Sequence, residues 1–367
     1  MRCAWIVITN SSIAEHVAVV GSMFTAEGVD VVYLVPNDLV GLPFKHSELV
    51  KTLATFDAGF ESITFCSSDG DVQVQEHDIL ITQTPYLDDH YPEWLWSKFS
   101  STACVFSPYG YSIRPELFIS SITDSRFSWH LLQSEAYGRR YRRELGGAML
   151  SRAVITGHPS MWWLRNQQGG RSDAVGQGGE GPMVAFQFHW TRELCSLHQS
   201  IELVQDVGQF VMKEFGQPIY VTAHPLLGLF NDYDPPFGYE VAEISAVREA
   251  LNEVIALGNV IVWHRPLLNL CRDVDVLISD GESIIAFGAA AGAAVSVPQM
   301  PESRDLTPEI AALPNVHRHD PTDPRASLQS IQQLIKQTQT RRSRPTYFHA
   351  LGLVEGRNPI QELLSRM

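Results

Sequence analysis

The chain has 367 residues, 44% of them hydrophobic, which is long for a single core and comfortable for two domains. Its formal net charge of -14 argues against a chain-wide nucleic-acid surface, since neutralising phosphates needs a basic face, though it leaves room for a local phosphate pocket. Five scattered cysteines (Cys3, Cys66, Cys104, Cys195 and Cys271) form no CxxC pair, so neither a disulfide framework nor a structural zinc site is expected, and a reducing, cytoplasmic setting fits.

The opening MRCAWIVITNSS turns polar too soon for a signal peptide, and no apolar stretch has the length of a membrane span. CAWIVITNSS reads as a strand, and SSIAEHVAVVGSMFTAEG as a helix closed by Gly28. VDVVYLVPND is the next strand, so strand, helix and strand fall within the first forty residues and point to a parallel α/β sheet. HDILITQTPY and STACVFSPYGYSI are further strands; FSWHLLQSEAYGRRYRRELGG reads as one helix, and SRAVITGHP as another strand.

The Gly-rich, polar segment Arg165 to Pro182 has no apolar period and reads as a linker. Beyond it the pattern restarts with strand MVAFQFHW, helix SIELVQDVGQFVMKEFG, strand PIYVTAHP and helix AEISAVREALNEVIALG. Strand NVIVWH, short helix LLNLCRDV, strand DVLISD, small-residue helix ESIIAFGAAAG and strand AAVSVP follow, then helices in RASLQSIQQLIKQTQTRR and NPIQELLSR. The expected organisation is an N-terminal acceptor-side α/β domain (1–164), the linker (165–182), a C-terminal donor α/β domain (183–340) and a helical tail (341–367), with a cleft between two Rossmann-like domains.

The chemistry concentrates at strand ends. VITGHP ends in Gly157-His158-Pro159, VAFQFHWTRE in His189 to Arg192, YVTAHP in His224-Pro225, and VLISDGES in Asp280-Gly281-Glu282-Ser283. In a parallel sheet the last three share one edge, where ligands of such sheets sit. A helix start supplies backbone N–H groups and a favourable dipole for a phosphate, and a protonated histidine or an arginine adds charge-assisted bonds. Asp280 equally suits the role of helix cap, and the small residues Ala286 to Ala294 equally suit close packing of helix on sheet.

The order "VITGHP … VAFQFHWTR … IYVTAHP … NVIVWH … DVLISDGESIIAFGAAAGAAVSVP" resembles CDP-glycerol glycerophosphotransferases, GT-B-type enzymes of teichoic acid and capsule synthesis. The resemblance spans about Asp78 to Pro298 and implies a GT-B fold and a nucleotide-diphosphate donor that is a substrate rather than a cofactor; helix-dipole and His224 contacts would stabilise the departing nucleotide, so no metal is expected. It implies donor contacts from His224 and from Asp280, Gly281, Glu282 and Ser283; Gly157, His189 and Arg192 are the other donor-binding candidates. The implied acceptor is a glycan, a polyol phosphate or a lipid-linked species, handled in the cytoplasm or at the inner membrane face. The family's first-domain "HGTP" histidine is missing, and the matching place reads Ser107-Pro108-Tyr109-Gly110-Tyr111.

The catalytic candidates are therefore His224, Tyr109 and His16. Tyrosine is a poor base near neutral pH unless its pKa is lowered, and His16 near the first helix start could activate an acceptor hydroxyl. Asp88 and Asp89 are alternatives for that role, or plain surface. His317-Arg318-His319-Asp320 reads as a loop rather than a metal site. Arg341-Arg342-Ser343-Arg344 reads as a solvated helix end or a contact to anionic lipid. A hexosyltransferase using a UDP- or GDP-sugar, a nucleotide-sugar 2-epimerase and a non-catalytic binding protein are the alternatives.

Overall fold

The computed structural model describes residues 2–9, 13–36, 46–66, 72–84, 91–111, 124–145, 151–167, 181–189, 197–224, 227, 229–230, 240–299, 306–339 and 344–367. Two compact units divide the chain: Met1–Trp163 with Phe348–Met367, and Leu164–Tyr347.

In the first unit the elements run β1 (Cys3–Val7), α1 (Ala14–Ala26), β2 (Asp30–Pro36), α2 (His46–Phe56), β3 (Ile63–Cys66), β4 (Ile79–Thr82), α3 (Glu93–Lys98), β5 (Ala103–Phe106), β6 (Trp129–Leu132), α4 (Glu135–Leu145), β7 (Ala153–Ile155) and α5 (Pro159–Asn166), which reaches past the unit's last residue. Seven strands form one parallel sheet in the order β3-β2-β1-β4-β5-β6-β7. The central strand β4 is buried at every position while edge strand β3 is partly open, as a sheet covered on both faces requires.

The second unit runs β8 (Val184–Phe188), α6 (Leu197–Phe215), β9 (Ile219–Ala223), α7 (Val241–Ala256), β10 (Val260–Val262), α8 (Leu267–Asp273), β11 (Val276–Ser279), α9 (Glu282–Ala290), β12 (Ala294–Pro298), α10 (Pro308–Ala311), β13 (Val316–His319) and α11 (Pro324–Gln339). Its six strands are parallel in the order β10-β9-β8-β11-β12-β13. Val184 and Phe186 of β8 are buried in one cluster with Val204 and Val207 of α6 and Ile331 and Leu334 of α11. Each such side chain withdrawn from water contributes roughly 1.5–3 kcal/mol before the entropy of ordering is subtracted.

The last helix, α12 (Pro359–Arg366), belongs to the first unit. Asn358 caps it by accepting the main-chain N–H groups of Ile360 (2.9 Å) and Gln361 (3.4 Å), with proline at the first helical position.

Two sequence expectations are corrected. FSWHLLQSEAYGRRYRRELGG is not one helix: Trp129–Leu132 is strand β6, and the helix begins at Glu135. Val316–His319 is strand β13 at the sheet edge rather than a loop. Residues 168–180 of the expected linker lie outside the described residues, and its start, through Asn166, is helix α5.

Candidate functional site

In the second unit the chain leaves β8 in one direction towards β9, while β11 leads the other way to β12. The carboxyl ends of β8 and β11 therefore flank the switch point of a doubly wound sheet, where a crevice opens for ligands. A buried polar latch joins these ends. Ser279 Oγ donates to Gln187 Oε1 at 2.6 Å and accepts the N–H of Gly281 at 3.0 Å. Gln187 Nε2 donates to the carbonyl of Phe188 at 2.8 Å. The N–H of His189 then donates to Asp280 Oδ1 at 2.8 Å, and that of His224 to the Phe188 carbonyl at 2.8 Å. These bonds gather the ends of β8, β9 and β11 and set the His189 and His224 rings 5.6 Å apart, edge to face.

Asp280 is thus no helix cap. The N-cap of α9 is Gly281, and no side chain caps the helix. A Cβ on Gly281 would stand 2.6 Å from Gln187 Oε1, so glycine is what lets the helix start approach the latch. Glu282 and Ser283, both half-buried, form the first turn of α9.

Burial pushes the Asp280 carboxyl up to about 6, against the opposing pull of the His189 N–H. His224 is pushed down to about 3, by desolvation first and by the neighbouring His189 second. The imidazole expected to be protonated is therefore neutral near pH 7. Beside Asp280 lies a recess of ≈ 70 Å³ walled by Phe186, Phe188, Leu203, Pro298 and His319.

The carboxyl edge of the first sheet holds a second cluster. His16 lies in α1 after β1, Gln83 follows β4, Tyr109 follows β5 and His158 follows β7. His16 Nδ1 is 2.7 Å from Ser160 Oγ. The buried His158 donates from Nε2 to the Pro108 carbonyl at 2.9 Å and accepts the Ser160 N–H on Nδ1 at 3.1 Å, which fixes its tautomer and ties the β5 loop to the start of α5. The His16 ring centroid lies 6.0 Å from that of His158 and 6.5 Å from that of Tyr109. Gln83 Nε2 donates to the His16 carbonyl at 3.4 Å, and Gln83 Oε1 has no hydrogen-bond partner among the described residues. Burial pushes His16 down to about 3; the same cause, aided by His16, pushes His158 down to about 3.

The expected residues thus fall into two groups. His189, His224, Asp280, Gly281, Glu282 and Ser283 meet on the second sheet's edge. His16 and Tyr109 meet on the first unit's sheet edge, and Gly157 follows β7 in that same unit. Gly157 has φ +104°, and a Cβ there would meet Leu353 Cα at 2.8 Å, so its part is packing of the C-terminal segment. Arg192, Asp88, Asp89, Arg341, Arg342 and Ser343 lie outside the described residues. Sequence reasoning missed Gln187 and Ser160; a lone Gln inside the apolar run VAFQF was the available signal for the first. Among the described residues no group of three or more His, Cys, Asp or Glu side chains is placed to hold a metal ion, and no helix is long and apolar enough to cross a membrane.

No protein-family model matches the sequence, and no curated protein sequence does. Solved structures do resemble the fold. The Staphylococcus aureus MnaA–UDP co-structure aligns with a TM-score of 0.60 at 10% identity, covering 100% of this chain and 98% of that one. The UDP-GlcNAc 2-epimerase of Methanocaldococcus jannaschii gives 0.58 at 10% identity, with 100% of both chains covered. That of Neisseria meningitidis, bound to UDP-GlcNAc, gives 0.54 at 11% identity, again with 100% of both. The protein has a GT-B-like α/β fold with two Rossmann-like units. These likenesses are of fold and do not single out CDP-glycerol enzymes.

Proposed function

We propose that the chain is a GT-B-type transferase that moves a glycerol-phosphate-like or glycosyl group from a nucleotide-diphosphate donor to a glycan or polyol-phosphate acceptor. One observation carries the donor half: the Gln187–Ser279 and His189–Asp280 bonds gather the His189 and His224 rings at the switch point of the second sheet. Main-chain N–H groups at the start of α9, and a histidine that can gain a proton, suit a diphosphate whose charge grows as it leaves. The acceptor half is assigned to the first unit's edge around His16 and Tyr109. The sequence resemblance favours a CDP-linked polyol, and a lipid-linked acceptor would put the work at the inner face of a membrane.

A second reading is supported by the names of the similar structures: epimerisation of a UDP-linked amino sugar within the same nucleotide site. Calorimetric titration with CDP, UDP and GDP, on the wild-type protein and on His224→Ala, tests the donor site. Selective CDP binding that weakens at least tenfold in the variant supports the polyol transferase. UDP selectivity, followed by interconversion of UDP-GlcNAc and its 2-epimer without an acceptor, supports the epimerase. Binding without turnover leaves a non-catalytic nucleotide-binding protein, and no binding at all sinks the donor assignment.

A further inference from the structure

The Ser160–His16 pair has a direction that hydrogen-bond accounting reveals. The Ser160 side chain is 0% exposed, whereas His16 is half-buried, so the serine is the member of the pair fully enclosed by the fold. The only partner of Ser160 Oγ among the described residues is His16 Nδ1, at 2.7 Å. If Nδ1 carried the proton, the bond would run from imidazole to hydroxyl, and the serine's own O–H would be a buried donor with no acceptor. Such a donor costs about 1–3 kcal/mol, while a hydroxyl with a spare lone pair costs far less. The hydroxyl proton therefore points at Nδ1. The Ser160 backbone is itself held, because its N–H is bonded to His158 Nδ1 at 3.1 Å and His158 Nε2 is bonded to the Pro108 carbonyl at 2.9 Å.

We infer that Ser160 is a positioning residue that locks His16 as the neutral Nε2–H tautomer, so that His16 serves as a hydrogen-bond donor to a substrate oxygen rather than as the base that takes the acceptor's proton. The oxygens such a group recognises are those of a phosphate or a carbonyl, or a hydroxyl oxygen gaining negative charge. Desolvation of the ring works in the same direction, because it keeps the imidazole uncharged. The substrate half of this inference rests on the transferase reading; the tautomer half does not.

The test has two arms. In 15N-labelled protein, with the His16 signals assigned by their loss in His16→Gln, wild type should show a bare Nδ1 and a protonated Nε2. Ser160→Ala, which removes one oxygen and keeps the main-chain bond to His158, should release the lock and move Nδ1 towards a mixture of tautomers. A protonated Nδ1 in wild type, or an unchanged signal in Ser160→Ala, overturns the inference. In the second arm, His16→Gln, whose amide N–H can replace Nε2–H, should keep kcat within about tenfold of wild type, while His16→Ala should lose on the order of 10²–10³-fold. Equal losses in the two variants would return His16 to the role of base. If wild type turns over no donor, the transferase reading falls alone and the NMR arm still decides the tautomer.

Discussion

The main-chain N–H of His189 and the carboxylate of Asp280 meet at 2.8 Å across 91 positions of sequence, and this bond closes the second sheet's switch point. Asp280→Ala would leave a half-buried N–H without its partner and should lower stability by about 1–3 kcal/mol in urea titrations. Asp280→Asn keeps an acceptor oxygen at the same place and should recover most of that loss. Equal midpoints for Ala and wild type would show that the latch contributes nothing.

Gly281 makes a separate, steric prediction. Its φ of -89° is open to any residue, so a side chain there meets no backbone strain, only the side chains of Gln187 (Oε1 at 2.6 Å) and Ile284 (Cγ2 at 3.1 Å). Gly281→Val should therefore fold, with unchanged far-UV circular dichroism, yet displace the Gln187–Ser279 bond and weaken nucleotide binding by at least tenfold. Wild-type affinity in that variant would place the ligand elsewhere.

Proton bookkeeping offers a third prediction. His224 is held neutral, with its pKa pushed down to about 3. A diphosphate beside it favours the charged form, so binding should be accompanied by proton uptake that grows as the pH falls from 6 towards 4. Calorimetry in two buffers of different ionisation enthalpy measures this directly, and His224→Ala should abolish the uptake. Identical apparent enthalpies for wild type in both buffers would contradict it.

His130 governs a fourth. It is 1% exposed, neither ring nitrogen has a hydrogen-bond partner among the described residues, and burial, then Arg152, push its pKa down to about 4. Because the folded pKa lies below the unfolded value of about 6.5, the unfolded chain takes up the proton first as pH falls. Stability tied to this residue is intact above pH 6.5 and is lost on descent towards pH 4, on the order of 2–3 kcal/mol. Asp280 has the opposite sign: its folded pKa of about 6 lies above the unfolded value, so its contribution is present in acid and lost as pH rises through 6. His130→Phe should flatten the rise of stability between pH 4 and 6.5, and Asp280→Asn should steepen it. Urea midpoints at pH 4.5, 5.5 and 7 distinguish the two slopes.

Much of this architecture is legible in the sequence because parallel strands buried on both faces read as unbroken apolar runs, as in VLIS and AVSVP. The polar carboxyl edge of the second sheet is legible for a related reason: its polar residues directly follow those runs. Strand β6 is not, because Trp129–Leu132 is only four residues long and no glycine or proline separates it from the helix that follows. Strand β13 escapes for another reason. It carries His317, Arg318 and His319 at the sheet edge, where charge discourages unwanted pairing and erases the apolar signal. Ser160 is invisible because its meaning lies in a partner 144 positions away.

The C-terminal segment re-enters the first unit through ties that are far apart in sequence. Val354 N–H donates to the Thr156 carbonyl at 3.1 Å, Asn358 Nδ2 to Glu27 Oε1 at 3.3 Å, and the Arg366 guanidinium to the Ala153 carbonyl at 3.0 Å. The second unit is thus an insertion in the middle of the first, and the order of synthesis differs from the order of completion. A ribosome delivers every residue of the second unit before it delivers the strap that finishes the first. Nascent first-unit chains must wait, with the seat of α12 still bare, until the last twenty residues emerge.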